Sequence, residues 1–344
     1  MGEKIAFFSP GSLLNYGGGD KWIINMGNIL SAKGYEVSAY TSTMIGGAGK
    51  RLSEQDLLKN ITFQYIELPY HSSPISPMKL KKIPEDNFDF VYIIGGYYGI
   101  LKQLFEVKGI KTYGFHDPAL QNPKNSLQKK ILSTLIPRYD KVHLLSKEQN
   151  EIINNKNKFL LENTWLGEPV PMVEKFEKFT VLFFGRHENI KGIQTVEYIA
   201  SNLPENIDLI ITGTGESSSK LSGISRKNVR NLGFVDENEL YSLLSKSHLV
   251  LFPSYVEASS LVMVEAISHH TPLVYRAIPQ NELLKNSRTS IVANDDSEFL
   301  DAIVNTEKKY SEDKIMYLKS CAELPLLLMP KEDYMKKFID NFLS

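Results

Sequence analysis

The feature that most constrains the fold is an alternation that continues along the whole chain. Short runs rich in β-branched and aromatic residues are each followed by a helical pattern with one apolar face. This alternation is typical of parallel sheets whose strands are joined by helical crossovers. It predicts an α/β fold, with strands in the first half at residues 4–9, 35–42, 61–68, 88–95, 111–116, 141–146 and 159–162.

One break divides this pattern. Between residues 163 and 178, Pro169 and Pro171 interrupt any periodic element. The alternation then restarts, with strands expected at 179–185, 208–212, 229–234, 249–253, 272–276 and 290–293. At about 150 residues per domain the length also suggests two domains. We therefore expect two Rossmann-like domains, 1–165 and 179–330, joined by a linker at 166–178.

Two helices are predicted with particular clarity. The helix expected at 20–33 ends before Gly34 and gathers apolar residues on one face, namely Trp22, Ile23, Met26, Ile29 and Leu30. The last helix, at 331–344, spaces three aromatic residues four apart: Tyr334, Phe338 and Phe342. This second apolar face must pack against a domain that is already folded.

The charge balance limits the classes of partner. The formal net charge is −1, with 42% hydrophobic and 23% charged residues, as in ordinary globular proteins. Residues 1–172 carry twenty Lys and Arg against sixteen Asp and Glu, and the remainder carries nineteen against twenty-four. A charge balance this mild excludes a protein dedicated to coating nucleic acid, and no nucleic-acid partner is expected. It still permits local basic patches.

Cysteine content and hydropathy bear on location. Cys321 is the single cysteine, so neither an internal disulfide nor a thiolate metal site is expected. No apolar run approaches the roughly 20 residues of a bilayer span, and the first residues do not resemble a signal peptide. These features favour a cytoplasmic protein.

Several familiar motifs are incomplete. Gly46–Arg51 lacks the first glycine and the final Ser or Thr of a phosphate-binding loop, and is more typical of an ordinary loop. Gly213 and Gly215 follow a strand as in a dinucleotide fold, but Ser218 stands where the third glycine belongs. No Asp-x-Asp pair occurs, so no carboxylate pair is available for Mg²⁺ or Mn²⁺ and no metal site is predicted.

The glycine-rich segment 16–20 lies between the first strand and the first helix. Backbone amides of Gly17 and Gly18, together with the positive end of the helix dipole, are suited to an anion. A simple turn is the alternative.

Two cations follow the first strand of the second domain. Arg186 and Lys191 flank a loop at the carboxyl end of that strand, where open α/β sheets bind ligands. Guanidinium and ammonium groups there suit a diphosphate. Two solvated surface cations would give the same pattern.

The segment 252–266 carries the strongest signal. It holds two carboxylates eight residues apart, Glu257 on a loop and Glu265 on a helix expected to begin near Ser259 or Ser260. The free amides at this helix start, with Leu261, form a second candidate anion site. Glu265 lies on an apolar helix and needs hydrogen-bond donors, which vicinal sugar hydroxyls would supply. A structural salt bridge is the alternative.

A histidine ends one strand of the first domain. His116 is expected at the carboxyl edge of the sheet, where it would hydrogen-bond a sugar hydroxyl or line the reaction centre. An ordinary histidine at a strand end is equally compatible with the pattern.

These motifs together resemble those of the retaining glycosyltransferases of the GT-B fold, in family 4 (glycosyl transferases group 1). The family's Gly-Gly-x-Glu loop is matched by residues 17–20 with Asp20 in place of Glu, and its Glu-x7-Glu signature by Glu257 and Glu265. Arg186 and Lys191 match the elements that hold the donor diphosphate. The resemblance covers essentially the whole chain.

The resemblance implies an architecture and an activity. Two Rossmann-like domains would face each other across a cleft, an acceptor-side domain at 1–165 and a donor domain at 179–330, with the helix at 331–344 crossing back to the first. The enzyme would transfer a hexosyl group (EC 2.4) from a nucleotide-diphosphate sugar, UDP- or GDP-linked, to a glycan or lipid-linked acceptor. No cofactor and no metal are implied.

Individual roles follow from the same resemblance. Glu265 would bind the nucleotide ribose, Glu257 the donor sugar, and Phe234 would lie beside the base, while His116 would face the sugar. Residues 258–260, Ala-Ser-Ser, depart from the family's Gly-Phe-Gly. This departure leaves two rivals open: a GT-B-like protein that binds a nucleotide sugar or glycan without turnover, and a nucleotide-sugar epimerase of the same fold.

Basic segments of the first domain suggest a membrane hypothesis. Lysines cluster at 79–82, and at 124–141 they interleave with apolar residues as in a basic amphipathic helix. Peripheral contact with the anionic inner membrane face would follow. Packing of the apolar face on the sheet, with solvated lysines, is the alternative.

Overall fold

The computed structural model describes residues 2–9, 11–43, 52–68, 70–71, 79–80, 87–94, 106–116 and 134–344. The chain divides into two compact units. One comprises Met1–Glu162 with Met335–Ser344, and the other comprises Asn163–Tyr334. Residues 166–178, expected as a linker, fall within the second unit in this division.

The first unit is built on a parallel sheet. Its described strands are β1 (Lys4–Ser9), β2 (Glu36–Ser42), β3 (Gln64–Leu68), β6 (Asn87–Ile94), β7 (Lys108–Gly114), β8 (Lys141–Leu144) and β9 (Lys158–Leu160), in the order β3-β2-β1-β6-β7-β8-β9. A separate antiparallel pair consists of β4 (Tyr70–His71) and β5 (Lys79–Leu80). All seven strands expected from the alternation are present.

Helices of the first unit begin at recognisable caps. They are α1 (Gly18–Ala32), α2 (Glu54–Asn60) and α3 (Lys147–Ile152) among the described residues. Ser53 and Ser146 cap α2 and α3 by accepting backbone N–H groups. The predicted face of α1 is buried at Trp22, Ile23 and Met26.

The second unit contains the other parallel sheet. Its strands are β10 (Thr180–Phe184), β11 (Asp208–Thr212), β12 (Val229–Gly233), β13 (Leu249–Phe252), β14 (Leu273–Tyr275) and β15 (Ile291–Val292). Their order is β12-β11-β10-β13-β14-β15. Residues of the central strands are buried on both faces, as a parallel sheet covered by helices requires. The six expected strands are again all present.

The helices of the second unit are α4 (Ile193–Asn202), α5 (Ser219–Ser222), α6 (Glu237–Lys246), α7 (Leu261–Ser268), α8 (Asp296–Glu312) and α9 (Lys314–Ala322). The strand order reverses at β10, because β11 lies on one side of it and β13 on the other. Such a reversal opens a crevice at the carboxyl ends of the strands.

The last helix, α10 (Lys331–Phe342), completes the core of the first unit. Phe338 and Phe342 are fully buried. The Phe338 ring centroid lies 5.6 Å from that of Trp22, and the Phe342 centroid lies 5.7 Å from that of Tyr92. The apolar face predicted for this helix therefore packs where the sequence required.

Among the described residues, no helix has both the length and the apolar character needed to cross a bilayer.

Candidate active site

The carboxyl ends of β10 and β13 carry the best-defined cluster of functional side chains. A single 3-10 turn, Asn189–Lys191, follows β10 and places Lys191 at its end. Glu257 lies in the loop between β13 and α7. These two loops leave the sheet on either side of the point where the strand order reverses, which is the usual ligand position in this class of sheet.

Backbone contacts hold these two loops together. The Tyr255 N–H donates to the Ile190 carbonyl at 2.9 Å. Gly192 has a φ of +74°, and a Cβ at this position would collide with the carbonyl oxygen of Pro253. Only glycine satisfies both the left-handed backbone and the close approach.

Lys191 and Glu257 form an ion pair. Lys191 Nζ donates to Glu257 Oε1 at 2.7 Å, and the two side chains are only 19% and 9% exposed. The sequence predicted both residues at the site, but not their contact. At this burial each charge depends on the other for its compensation.

Arg186 is the more exposed cation. Its side chain is 48% exposed, and Nη1 donates to Glu188 Oε1 at 2.7 Å. The pair lies in the loop that follows β10 and precedes Lys191. Both predicted phosphate-binding cations are thus matched by carboxylates of the same unit.

His187 joins the loops that follow β10 and β11. It is 1% exposed, its N–H donates to the Thr214 carbonyl at 3.0 Å, and its Nδ1 lies 3.0 Å from Ser218 Oγ. Cβ atoms at Gly213 and Gly215 would collide with backbone atoms of Gly185 and His187, respectively. These glycines are therefore explained by loop packing, without a dinucleotide.

The start of α7 is formed as predicted. Ser260 is the N-cap, and its Oγ accepts the Met263 N–H at 3.3 Å. Ser259 Oγ accepts the Asn163 N–H at 3.0 Å, and the Asn163 side-chain amide donates to the Ser259 carbonyl at 3.0 Å. The Met263 amide is thus used by the cap, whereas those of Leu261 and Val262 lack acceptors within the helix and favour an anion.

Glu265 and Phe234 lie on different elements of the same unit. Glu265 is 6% exposed in the second turn of α7, and its backbone carbonyl accepts from His269 Nδ1 at 2.7 Å. Phe234 directly follows β12 and is 43% exposed. An exposed aromatic ring at a carboxyl strand end is suited to contact a planar base.

Arg276 is a residue that the sequence analysis did not select. It follows β14, donates through Nε to the Pro253 carbonyl at 3.3 Å and through Nη1 to the Asn294 carbonyl. Its guanidinium lies 4.2 Å from the centroid of the Tyr255 ring. Arg276 thereby supports the loop that carries Glu257, and its position at the end of the strand expected at 272–276 was the available signal.

In the first unit, residues 17–20 form the start of α1. The Asp20 carboxylate accepts the Gly17 N–H at 2.9 Å. One of the amides expected to receive an anion is therefore already used by the capping carboxylate. Gly18 opens the helix, so its amide belongs to the first turn.

His116 lies two residues beyond the end of β7. Its Nε2 is 3.0 Å from the Tyr92 hydroxyl, and its ring centroid is 4.6 Å from that of Trp22. Burial, and next the proximity of His143, lower the pKa of His116 well below its usual value. Its imidazole is therefore neutral at neutral pH.

Some predicted features lie outside the described residues. They are the Gly46–Arg51 loop, Lys81 and Lys82, and the greater part of the basic segment 124–141. Within the described ranges, no group of three or more His, Cys, Asp and Glu side chains is arranged to hold a metal ion.

Comparison with known proteins relates the second unit to one family of enzymes. Residues 178–308, most of the second unit, match the family model of the group 1 glycosyl transferases. An uncharacterized glycosyltransferase of Methanocaldococcus jannaschii is 32% identical over 108 residues, which are 28% of this chain and 27% of that protein. The match thus spans about a quarter of the length of that relative.

Solved structures resemble the chain over nearly its full length. Sucrose-phosphate synthase from Thermosynechococcus elongatus has a TM-score of 0.74 at 16% identity, covering 98% of each chain. Anabaena HepE, in complex with UDP and glucose, has a TM-score of 0.73 at 14% identity, covering 99% of this chain and 100% of HepE. A mutant of TarM from S. aureus, in complex with Fondaparinux, alpha-GlcNAc-glycerol and UDP, has a TM-score of 0.75 at 11% identity, covering 99% of this chain and 100% of TarM.

These findings define a class. The chain has the GT-B fold, as expected from the sequence. Its second unit is similar to group 1 glycosyl transferase domains over residues 178–308, which include Arg186, Lys191 and Glu257.

Proposed function

We propose that the chain is a glycosyltransferase that moves a sugar from a nucleotide-diphosphate donor to an acceptor hydroxyl, with retention of the anomeric configuration. The observation that carries this proposal is the buried Lys191–Glu257 pair where the strand order reverses, with Arg186 in the same loop as Lys191. The group 1 match includes all three residues.

The second unit would bind the donor. Arg186 and Lys191 would contact the diphosphate, and the first-turn amides of α7 near Ser259, Ser260 and Leu261 would supply further donors. Negative charge grows on the leaving diphosphate as the glycosidic bond breaks, and preorganised donors stabilise it most in that state. Glu265 would accept from the ribose hydroxyls, and Phe234 would contact the base.

The Lys191–Glu257 pair suggests how one site serves both phosphate and sugar. Lys191 occupies only Oε1 of Glu257 in the structure. A carboxylate has about four acceptor positions, so Glu257 can retain Lys191 and still accept sugar hydroxyls. Lys191 has three N–H donors and can contact Glu257 and a phosphate oxygen together.

The first unit would also contribute residues that contact the substrate. His116 would accept a hydrogen bond from a sugar hydroxyl, and the amides of Gly17 and Gly18 would lie near an anionic group. The UDP bound by HepE and TarM supports a UDP-linked donor as the first to test, with a GDP-linked donor as the other candidate. We expect a glycan or lipid-linked acceptor and a cytoplasmic location.

The chemistry would require neither a metal ion nor a protein base. The acceptor approaches on the face from which the phosphate leaves, and a phosphate oxygen takes the acceptor proton. Cationic side chains and helix amides then stabilise the departing group. We therefore expect full activity in excess EDTA, measured as release of nucleoside diphosphate, whereas strict dependence on added Mg²⁺ or Mn²⁺ would contradict this mechanism.

A single assay series tests the function and its rivals. UDP- and GDP-sugars are first screened by thermal shift, since a ligand at 100 times its Kd adds about 2.7 kcal/mol to stability. Each stabilising donor is then incubated with a glycan or lipid extract. Release of free nucleoside diphosphate together with an α-linked product from an α-linked donor supports a retaining transferase. Binding without release indicates a binding protein, and conversion of the donor to its epimer indicates an epimerase.

A further inference from the structure

Three side chains of the first unit form a continuous line of hydrogen bonds that ends at His116. His116 Nε2 is 3.0 Å from the Tyr92 hydroxyl, and that hydroxyl is 2.6 Å from Nδ1 of His143. His143 Nε2 is 2.8 Å from the backbone carbonyl of Leu161. Tyr92 and His143 are fully buried. We name these three side chains the His-Tyr-His relay.

The fixed end of the relay determines where every proton lies. A carbonyl oxygen only accepts, so Nε2 of His143 must carry a proton and donate it to Leu161. Burial lowers the pKa of His143 to about 4, so its ring is neutral at neutral pH and its Nδ1 bears a lone pair. The Tyr92 hydroxyl then donates to that Nδ1, and its oxygen accepts from Nε2–H of His116.

This arrangement leaves one ring nitrogen of His116 without a proton. Because Nε2 carries the proton, Nδ1 of the neutral ring has a lone pair. Tyr92 is the hydrogen-bond partner of the His116 side chain among the described residues. Within the part of the chain that the structure describes, no other donor competes for the Nδ1 lone pair, which can accept a hydrogen bond from a bound molecule.

The surrounding residues are shaped for the relay. A Cβ at Gly114 would collide with the Tyr92 hydroxyl, so glycine at this position makes the room that the hydroxyl occupies. Phe338 of α10 packs at 5.9 Å, between ring centroids, from both Tyr92 and His143. The His143 ring also stacks on Phe159 at 4.8 Å.

We propose that Tyr92 and His143 are positioning residues that hold His116 in its Nε2-protonated tautomer, so that Nδ1 accepts a hydrogen bond from a sugar hydroxyl of the substrate. This inference rests on the proposed function. Without the relay the imidazole exchanges between tautomers, and in one of them Nδ1 carries the proton and can no longer accept a hydrogen bond from the hydroxyl. Either the donor sugar or the acceptor provides the hydroxyl.

The tautomer is measured independently of activity. In the ¹⁵N-histidine-labelled chain, long-range ¹H–¹⁵N correlation spectra distinguish protonated from bare ring nitrogens, and His116→Gln assigns the resonance. We expect wild-type His116 to show a protonated Nε2 and an unprotonated Nδ1. In Tyr92→Phe both tautomers should appear. Gly114→Ala should give the same mixture, since it displaces the hydroxyl without deleting a polar group.

Tyr40→Phe is the matched control. Tyr40 is a buried tyrosine on β2 that stacks on Phe8 at 4.9 Å and lies outside the relay. Its substitution should leave the His116 tautomer unchanged. Circular dichroism and thermal unfolding check that each variant is folded.

Kinetics assigns the hydroxyl to its source. Turnover is measured with UDP-glucose or GDP-mannose, whichever the wild type uses. Tyr92→Phe should lower kcat/KM about fivefold to tenfold, which corresponds to the loss of one hydrogen bond. If the donor supplies the hydroxyl, slow hydrolysis without acceptor falls by the same factor. If the acceptor supplies it, only transfer falls.

Two results would overturn the inference. A single unchanged His116 tautomer in both Tyr92→Phe and Gly114→Ala would show that the relay does not fix it. A mixed tautomer with wild-type kinetics would show that the tautomer has no role in turnover. If the wild type releases nucleoside diphosphate from no nucleotide sugar, the proposed function itself has failed, whatever the tautomer spectra show.

Discussion

Lys191 and Arg186 differ in how strongly the folded protein depends on them. Lys191 is 19% exposed and compensates the 9% exposed carboxylate of Glu257, whereas Arg186 is 48% exposed and pairs with Glu188 at the surface. Exposed pairs contribute about 0–1 kcal/mol to stability, and removing one partner of a buried pair leaves an uncompensated charge. A role in binding and a role in folding are therefore separable at these two positions.

The first prediction uses this difference. Arg186→Ala and Lys191→Ala should each lower kcat/KM by about 10- to 150-fold, because each removes a charge-assisted contact of about 1.5–3 kcal/mol to the leaving diphosphate. Arg186→Ala should unfold at the wild-type temperature, while Lys191→Ala should unfold earlier. When Lys191→Ala is combined with Glu257→Gln, the unfolding temperature should recover, because no buried charge is left uncompensated, but activity should not recover. Near-wild-type turnover in both single variants would refute the diphosphate assignment.

The second prediction separates the two carboxylates. Glu265→Gln should chiefly weaken UDP or GDP binding, since its carboxylate is assigned to the ribose, and Glu257→Gln should chiefly lower kcat. Calorimetric titration with UDP and GDP, together with steady-state kinetics, measures both. Unchanged nucleotide affinity with early unfolding in Glu265→Gln would show that Glu265 is a structural residue.

At the scale of elements, helix starts and strands could be predicted from local sequence patterns, whereas contacts between distant residues could not. The start of α7 was predictable because Ser260 is a good N-cap before an apolar run, and the strands were predictable from their short β-rich runs. The Lys191–Glu257 contact was not, because 66 residues separate the partners and only the pairing of β10 with β13 brings them together. The Tyr92–His143 contact, across 51 residues, also depends on the strand order, because β6 and β8 lie on either side of β7.

The third prediction concerns the connection between the loops after β10 and β13. Gly192→Ala should destabilise the protein by about 2–4 kcal/mol, because alanine is strained at a φ of +74° and its Cβ collides with the Pro253 carbonyl. Gly223→Ala is the control, since Gly223 has a φ of −83° and open space around the added Cβ. Urea unfolding measures both, and equal stability of the two variants would contradict this account of the loops.

At the scale of the whole molecule, charge is unevenly distributed along the chain. Residues 1–172 have a positive excess and the remainder a negative one, within a formal net charge of −1. The basic residues concentrated at 79–82 and 124–141 lie mainly outside the described residues, so the case for a membrane surface rests on their sequence pattern. A lipid-linked acceptor would make such a surface useful, whereas a soluble glycan would not require it.

The fourth prediction tests this surface. The protein should sediment with anionic but not with neutral liposomes at low salt, and neutralising Lys82, Lys129 and Lys130 together should abolish sedimentation while nucleotide affinity is retained. At about 1 kcal/mol per basic residue near an anionic surface, three substitutions are sufficient to detect the change. Neutralising Lys308, Lys309 and Lys319, which are exposed on the second unit, changes the net charge equally and should leave sedimentation intact. Because screening weakens surface attraction, wild-type sedimentation should also fall as salt is raised. Equal recovery in the supernatant with both lipid types would instead favour a soluble acceptor, with these lysines simply solvated.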